Sequence, residues 1–297
     1  MIARPARLTR DRLVVIGFLA PSLVLLALFV VGPVIWAIVV SFTNQRLTGI
    51  EAVAPRVVGV GNYTRLLADD DFWQALGRSA VFVVASGLVG QFVLGLVASL
   101  SLARSDVRGK GAFSAFILLP LVVPESVAAL AWASMLAPGE FGTLNRLLQV
   151  GGFEPIGWLQ AQPLPSIIVV NTWRGIAFAM ILFTAAIESI PRDVVEAARV
   201  DGASSRQMLT RITLPLMKHA IVLYMLLTTI TTFAVFGLVY FLTRGGPGEA
   251  TTLMSVFIYE TAFRFFEIGL GSAASVIMLG VVLAIGLVYV RLLRAQI

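Results

Sequence analysis

The sequence contains no cysteine and one histidine, His219, among its 297 residues. Without cysteine, a disulfide framework, a thiolate nucleophile and a Cys-ligated metal are excluded. A single histidine likewise excludes a His-based metal centre and a Ser–His catalytic triad. Charged residues are also scarce, at 13%, whereas hydrophobic residues make up 58%. Soluble domains have about 25% and roughly 45–50% respectively, so the composition excludes a water-soluble enzyme and a disordered chain.

Long charge-free stretches determine the predicted architecture. Four stretches carry no charge, and two more contain one charge each, Glu125 and Arg174. A helix that crosses a bilayer needs about 20 apolar residues. The sequence therefore predicts an all-α integral membrane protein, a single transmembrane domain over 1–297. Its six transmembrane helices lie at about 14–40, 79–103, 112–137, 165–189, 217–243 and 269–291.

The distribution of basic residues predicts the orientation in the cell membrane. With six spans, one side holds both termini, the 104–111 loop and the 190–218 segment. That side contains fourteen of the 22 Lys and Arg residues, the other side contains seven, and Arg174 lies within a span. Since cytoplasmic loops carry the excess of Lys and Arg, both termini are predicted to be cytoplasmic. The net charge of +6 does not indicate nucleic-acid binding, because the basic residues lie between apolar runs.

The loops predicted on the outer side contain no sign of nucleotide chemistry. The first, near 43–78, is expected to form a short interfacial helix with Phe72 and Trp73 at headgroup level. The Gly-rich stretches at 59–61 and 244–248 lack the spacing and the Lys-Ser/Thr ending of a phosphate-binding loop. The chain is therefore predicted not to bind or hydrolyse ATP by itself.

The 190–215 segment predicts two short helices on the inner face. Pro191 ends the fourth span, and Asp193 is placed to help cap a new helix. Gly202 supplies a break, after which 203–214 resumes as an amphipathic helix that meets span five at Pro215. From the residues alone, a simple connector lying in the interface is an equally good interpretation.

Three motifs within this segment resemble the EAA loop of ATP-binding-cassette (ABC) import permeases. They are Glu196-Ala197-Ala198, Asp201-Gly202-Ala203 and Ile212-x-Leu214-Pro215. Other stretches resemble the sugar-uptake branch of that family, of the maltose and glycerol-3-phosphate type, and more closely the first of its two paired permeases. These stretches are Leu119-Pro120 with Pro124, 171–175, 242–247 and 257–263. The resemblance implies the type I importer permease fold and assigns ATPase coupling to Glu196, Ala197, Ala198, Asp201, Gly202, Ala203, Leu214 and Pro215.

The resemblance also implies the partners and the function. The partners would be a second permease in a heterodimer, two ATPase subunits that bind ATP and Mg, an extracytoplasmic solute-binding protein, and membrane lipid. The chain itself would bind no cofactor, catalyse nothing and form half of the path for a di- or oligosaccharide or a related polyol. An alternative substrate is glycerol-3-phosphate or a glycerophosphodiester, whose phosphate Arg174 could meet. A more distant alternative is a proton-coupled carrier, which would also explain Glu125 and Arg174, since carboxylates within a membrane can relay protons.

Polar groups inside spans are the candidates for the substrate path, because burying them in lipid is costly. The candidates are Glu125, Asn171, Trp173, Arg174, Tyr240 and Gln91. Asn171, Trp173 and Arg174 in span four would suit a sugar, with an aromatic face for the ring and donors for its hydroxyl groups. For Asn171 and Trp173, helix–helix hydrogen bonding and interfacial anchoring are equally good interpretations. For Tyr240 and Gln91, a structural role is a better interpretation than ligand binding.

Glu125 and Arg174 are predicted to pair. Counted at 1.5 Å per residue from the outer ends of spans three and four, they lie roughly 18 Å and roughly 14 Å deep. Long side chains close that difference, and pairing lowers the cost of about 3 kcal/mol or more for each charge in the bilayer. A pair that only locks two helices and a pair with a role in the substrate path remain equally good interpretations.

Overall fold

The computed structural model describes residues 6–103 and 108–294, with side chains described over 15–103 and 108–293. The orientation prediction uses Arg4 and Arg104, which lie outside the described residues. It also uses the side chains of Arg7, Arg10, Arg12 and Arg294, which are not described. The placement of both termini in the cytoplasm stays a prediction.

The described residues are helical apart from loops and one isolated bridge between Thr43 and Val57. The α-helices are α1 Ala6–Leu26, α2 Gly32–Ser41, α3 Ile50–Val53, α4 Gly61–Leu67, α5 Asp70–Phe82, α6 Phe92–Ala103, α7 Lys110–Val122, α8 Glu125–Met135, α9 Thr143–Val150, α10 Trp158–Ala161, α11 Pro163–Glu188, α12 Arg192–Val200, α13 Ser205–Gln207, α14 Leu214–Leu216, α15 Lys218–Phe233, α16 Gly237–Thr243, α17 Met254–Tyr259 and α18 Ile268–Arg294. Wider π-helical turns join several of them, at Ala27–Val31, Val83–Gln91, Met208–Thr213 and Glu260–Arg264. A single 3₁₀ turn, Gly139–Phe141, precedes α9.

The all-α membrane architecture is confirmed. Among the described residues, four continuous helices are long and apolar enough to cross a bilayer, at Val15–Ser41, Asp70–Ala103, Pro163–Glu188 and Ile268–Leu293. Two bent helix pairs raise the number to six if each pair is one span. Apolar side chains remain largely exposed on these helices, as expected for surfaces that face lipid or another membrane subunit.

The second span is longer than predicted, since its helix begins at Asp70 rather than at 79. The Asp69 side chain caps it by accepting a 2.9 Å hydrogen bond from the Asp71 N–H. Carboxylates in the first turn also interact favourably with the helix dipole. The Phe72 side chain is fully buried within the protein, whereas that of Trp73 is exposed, and the placement of both at headgroup level stays a prediction. The stretch before Asp69 forms two short helices, α3 and α4.

The third span is broken, which corrects the prediction of one continuous helix over 112–137. α7 and α8 are separated by two residues and bent by 106°. Val123 is extended, with φ −73° and ψ 126°, because a residue before proline is disfavoured in the α region. Pro124 then precedes the first turn of α8, so Glu125 begins the new helix.

The predicted fifth span, 217–243, also contains a break. α15 ends at Phe233 and α16 begins at Gly237, with residues 234–236 between them. At its other end, α15 meets the preceding helical segment at a 68° bend around Met217. The second arm of the 190–215 segment therefore continues through Pro215 to Leu216 before the chain turns into α15.

The chain forms two compact units. The smaller comprises residues up to 68 together with 258–277, and the larger comprises 69–257 together with 278 onward. In the smaller unit, the Asn62 amide donates 2.8 Å hydrogen bonds to the carbonyls of Ser41 and Thr43, and Glu267 pairs with Arg65 at 2.8 Å.

Two clusters of buried apolar residues within the described part of the larger unit surround α11. One surrounds Phe82, Ile167, Val170, Leu238 and Val256, and the other contains Ala179, Phe183, Met217 and Tyr224. These clusters hold α11 against the second span and against α15 and α16, and so fix the position of Arg174 on α11. The prediction of one permease domain over 1–297 stays a prediction.

Candidate functional site

The structure forms the ion pair expected between Glu125 and Arg174. Arg174 Nη1 lies 3.4 Å from Glu125 Oε1. Arg174 lies near the middle of α11, and Glu125 lies in the first turn of α8, at the 106° bend of the third span. Two charges that would each be costly in lipid thus share one location.

The Glu125 carboxylate also binds the backbone just after the break in the fifth span. Glu125 Oε1 accepts a 2.9 Å hydrogen bond from the backbone N–H of Leu238, in the first turn of α16. That N–H has no partner within its own helix, as at every helix N-terminus. Gly237 allows the approach, because a Cβ there would lie 3.3 Å from the Glu125 carboxyl carbon. Glu125 therefore connects three elements: the bend of span three, α11, and the start of α16.

The pair is accessible rather than sealed. The side chains of Arg174 and Glu125 are 31% and 32% exposed. Guanidinium carries five N–H donors in a fixed arrangement. Among the described residues, Glu125 is the one polar partner of the Arg174 guanidinium. In the single chain, donors of Arg174 and the Glu125 carboxylate are thus partly exposed within the predicted spans.

Trp173 has an apolar environment. Its ring packs edge-on against Trp132, with centroids 5.5 Å apart. It also lines an apolar cavity of about 260 Å³ formed by side chains of the second, third and fourth spans: Leu94, Val97, Ala98, Phe113, Phe116, Ile117, Pro120, Trp173 and Ile176. This environment favours the packing interpretation of Trp173, and its contact with substrate stays a prediction.

Asn171 and Gln91 join the second and fourth spans. The Gln91 amide donates a 3.0 Å hydrogen bond to the Asn171 carbonyl, and the Asn171 amide donates a 2.7 Å bond to Ser86 Oγ. Both side chains are buried, at 5% and 4% exposed. A Cβ added to Gly175 would collide with the Gln91 side chain. These contacts favour the helix–helix interpretation for both residues.

Tyr240 stacks on Phe236, with centroids 5.0 Å apart and the rings 22° from parallel. Phe236 lies in the break between α15 and α16, immediately before the helix that Glu125 caps. Tyr240 therefore packs beside the candidate site, and a role for it in binding substrate stays a prediction.

The π-helical segment of the second span is a feature that the sequence analysis missed. Over Val83–Gln91 the helix widens, and the Tyr224 hydroxyl from α15 donates a 2.9 Å hydrogen bond to the Gly87 carbonyl. A Cβ on Gly87 would lie 2.8 Å from a methyl group of Thr228. Small residues that recur in an apolar span indicate close helix packing, so Ser86, Gly87 and Gly90 could have indicated this contact.

The 190–215 segment forms two helical arms joined at Gly202. α12 ends in a Schellman motif, in which the Ala203 N–H donates to the Ala198 carbonyl at 3.0 Å and the Gly202 N–H to the Arg199 carbonyl at 3.1 Å. Gly202 has a φ of +78°, which glycine adopts without strain. The predicted break at Gly202 is confirmed.

The capping of these arms differs from the prediction. Asp193 lies in the first turn of α12, and the residue at the cap position is Pro191, which makes no side-chain cap. The second arm begins at Ser205, where Ser204 and Gln207 form a reciprocal capping box that the sequence analysis did not identify.

The first arm is open to solvent. None of the residues of α12 is buried, Glu196 and Ala197 are exposed, and Val200 is 87% exposed. A short helix that presents a carboxylate and apolar side chains can bind a protein surface with a basic group. The described residues contain no group of three or more His, Asp or Glu side chains that could hold a metal ion.

Comparison with known proteins gives consistent matches. Residues 91–297 match the family model described as binding-protein-dependent transport system inner membrane component. The chain is 32% identical over 288 residues to the sulfoquinovosyl glycerol transport system permease protein of Agrobacterium fabrum, covering 96% of this chain and 92% of that protein. It is 32% identical over 277 residues to the trehalose/maltose transport system permease protein of Thermococcus litoralis, covering 92% and 91%.

A solved structure shows the same fold. One chain of a bacterial alginate ABC transporter, crystallised with an alginate pentasaccharide-bound periplasmic protein, matches with a TM-score of 0.79. The match covers 97% of this chain and 96% of that chain, at 24% sequence identity.

Proposed function

The chain belongs to the family of binding-protein-dependent transport system inner membrane components, and from that premise we propose that it forms half of the path by which an ATP-driven importer carries a sugar. It is a multi-pass inner-membrane permease of the carbohydrate-uptake type. The substrate proposed is a di- or oligosaccharide or a related polyol. Two relatives are named for sulfoquinovosyl glycerol and for trehalose and maltose, which supports a sugar.

The partners proposed are a second permease, two ATPase subunits and an extracytoplasmic solute-binding protein. ATP and Mg are bound by the ATPase subunits, and this chain supplies no catalytic group. The periplasmic protein in the alginate transporter complex supports the last of these partners.

The observation that carries the proposal is the form of the 190–215 segment. An exposed helix bearing Glu196 ends at Gly202 in a Schellman motif, and a separately capped arm follows and leads into α15. An ATPase subunit that binds α12 can transmit its movement through the second arm to the membrane helices. Switching between inward- and outward-facing states requires an element that moves with the ATPase subunit in this way.

A sugar is favoured over glycerol-3-phosphate or a glycerophosphodiester. In the structure the charge of Arg174 is already compensated by Glu125 at 3.4 Å. A proton-coupled carrier is disfavoured because it has no use for an exposed helical arm of this kind. Uptake that requires the ATPase subunits separates the two mechanisms.

Replacing Glu196 tests the coupling role. The Glu196→Ala variant should weaken co-purification of the ATPase subunits about tenfold or more, because it removes one partner of a charged contact. Sugar uptake into proteoliposomes should fall in parallel. Glu140→Ala is the matched control, since Glu140 lies in the Gly139–Phe141 turn and outside the 190–215 segment. Normal uptake and normal ATPase association in Glu196→Ala would contradict the coupling role.

A further inference from the structure

The charge balance of the Glu125–Arg174 pair bears on which substrates can pass. An arginine alone at membrane depth attracts anions, and its guanidinium binds phosphate through two parallel hydrogen bonds. Here Glu125 Oε1 lies 3.4 Å from Arg174 Nη1, so the net charge of the pair is zero. An approaching phosphate would meet a carboxylate beside the cation that would otherwise bind it.

The carboxylate is held in this position by a second contact. Its Oε1 accepts the Leu238 N–H at 2.9 Å, and the absence of a side chain at Gly237 leaves room for the carboxyl group. This anchoring belongs to the protein backbone and does not depend on a ligand. For a phosphate to pair with Arg174, it would have to displace Glu125 from both partners or accept like-charge repulsion.

Uncharged hydroxyl groups suit the pair better. A hydroxyl donates one hydrogen bond and accepts others, so it can donate to the carboxylate and accept from the guanidinium. Both side chains are about one third exposed, which leaves them accessible to such a molecule. On the basis of the proposed function, we infer that Glu125 is a specificity-determining residue. By compensating Arg174, it selects uncharged hydroxyl-bearing substrates, sugars or polyols, over phosphorylated ones.

Ligand binding by the full-length chain tests this inference without any ATPase subunit. The purified chain in phosphatidylcholine nanodiscs is titrated with trehalose, maltose and sorbitol as uncharged probes and with glycerol 3-phosphate as the anionic probe. Saturation-transfer NMR detects weak binding of each probe. The wild-type chain should bind at least one uncharged probe more tightly than glycerol 3-phosphate.

Removing the carboxylate charge should reverse this preference. In Glu125→Gln, the apparent affinity for glycerol 3-phosphate should rise about tenfold, because Arg174 is left uncompensated. The gain should vanish in the double variant Glu125→Gln/Arg174→Gln. The matched control is Glu260→Gln, which breaks a Glu–Arg pair of 2.7 Å to Arg264 elsewhere in the chain and should leave both affinities unchanged.

A second variant covers the case in which Glu125→Gln does not fold. Gly237→Ala keeps every charge but places a Cβ 3.3 Å from the carboxyl carbon, so the carboxylate must shift by a few tenths of an ångström. It should raise the affinity for glycerol 3-phosphate in the same direction by roughly twofold.

Two results would overturn the inference. One is a wild-type chain that binds glycerol 3-phosphate as tightly as every uncharged probe. The other is a folded Glu125→Gln or Gly237→Ala variant that binds no more of it than the Glu260→Gln control. These titrations measure ligand selection alone. Failure of the proposed function would instead appear as unaltered ATPase coupling in Glu196→Ala, so the two failures can be told apart.

Discussion

Adding one methyl group at Gly175 should destabilise the contact between the second and fourth spans. A Cβ at Gly175 collides with the Gln91 side chain, which is buried and bonded to the Asn171 carbonyl. Overpacking of this kind costs about 1–3 kcal/mol. Replacing glycine by alanine inside a helix returns about 0.5–1 kcal/mol. The net loss in the free energy of unfolding for Gly175→Ala should therefore be about 1 kcal/mol, within a range of roughly 0–2.5 kcal/mol.

The same substitution at Gly280 provides the control. Gly280 also lies inside a long membrane helix, α18, but a Cβ there meets no atom within 4 Å. Gly280→Ala should be neutral or slightly stabilising, since only the helix preference of alanine remains. Both variants are compared with the wild-type chain by SDS titration in mixed micelles, with intrinsic fluorescence as the signal.

A double-mutant cycle isolates the collision. Gln91→Ala removes the side chain that the new methyl meets, at the cost of a buried hydrogen bond worth about 0.5–1.5 kcal/mol. In the Gln91→Ala/Gly175→Ala variant, the loss should be smaller than the sum of the two single losses by about 1 kcal/mol or more. Additive losses, or a Gly175→Ala variant that behaves like Gly280→Ala, would refute the close packing described here.

Three further predictions concern other parts of the chain. Tyr224→Phe leaves the Gly87 carbonyl without its 2.9 Å hydrogen bond and should lower the unfolding free energy by about 1 kcal/mol in the same micelle assay. At Gly202, whose φ is +78°, alanine costs about 1–2 kcal/mol and asparagine less, so Gly202→Ala should reduce sugar uptake more than Gly202→Asn does. Because the chain has no cysteine, Val200→Cys and Phe141→Cys, which are 87% and 92% exposed in the wild type, should react with an impermeant maleimide from opposite sides of the membrane. Reaction of both from the same side would contradict the six-span topology.

The positions of most helices could be predicted from the sequence because a bilayer imposes a strict physical requirement. An uninterrupted apolar stretch of sufficient length has few alternatives to a spanning helix. The same reasoning placed Glu125 beside Arg174, because a charge in lipid requires a partner and the rise per residue gives its depth. Both predictions follow from the free-energy cost of placing polar groups in lipid, and neither requires detailed tertiary geometry.

The same reasoning does not predict the breaks in the third and fifth spans. Membrane helices tolerate proline, so Pro124 alone does not predict a break, yet it holds Val123 extended where the chain turns by 106°. The break over 234–236 contains no proline or glycine, and Gly237 just after it does not mark a break by itself, because membrane helices tolerate glycine. It is recognisable only once Glu125, from a different span, is seen to bind the Leu238 N–H that the break leaves free.

The polar candidates show the same limit. Asn171, Gln91 and Arg174 are all polar groups within apolar spans, and composition treats them alike. The structure separates them by burial, since Asn171 and Gln91 are 4% and 5% exposed and bonded to backbone or Ser86, while Arg174 is 31% exposed. Which polar group faces a neighbouring helix and which faces accessible space is decided by tertiary packing.

The π-helical segment Val83–Gln91 makes the second span sensitive to deletions in a way that its composition does not show. Each π-type hydrogen bond encloses one residue more than an α-type bond. A single deletion within the segment would let the helix close into regular α turns, and the widened backbone that presents the Gly87 carbonyl to Tyr224 would be lost. A deletion between the segment and Gly95 has no wide turn to absorb it, so it would rotate Gly95, where a Cβ would collide with Ala179, by about 100°. Related permeases should therefore tolerate substitutions in this segment more readily than changes in its length.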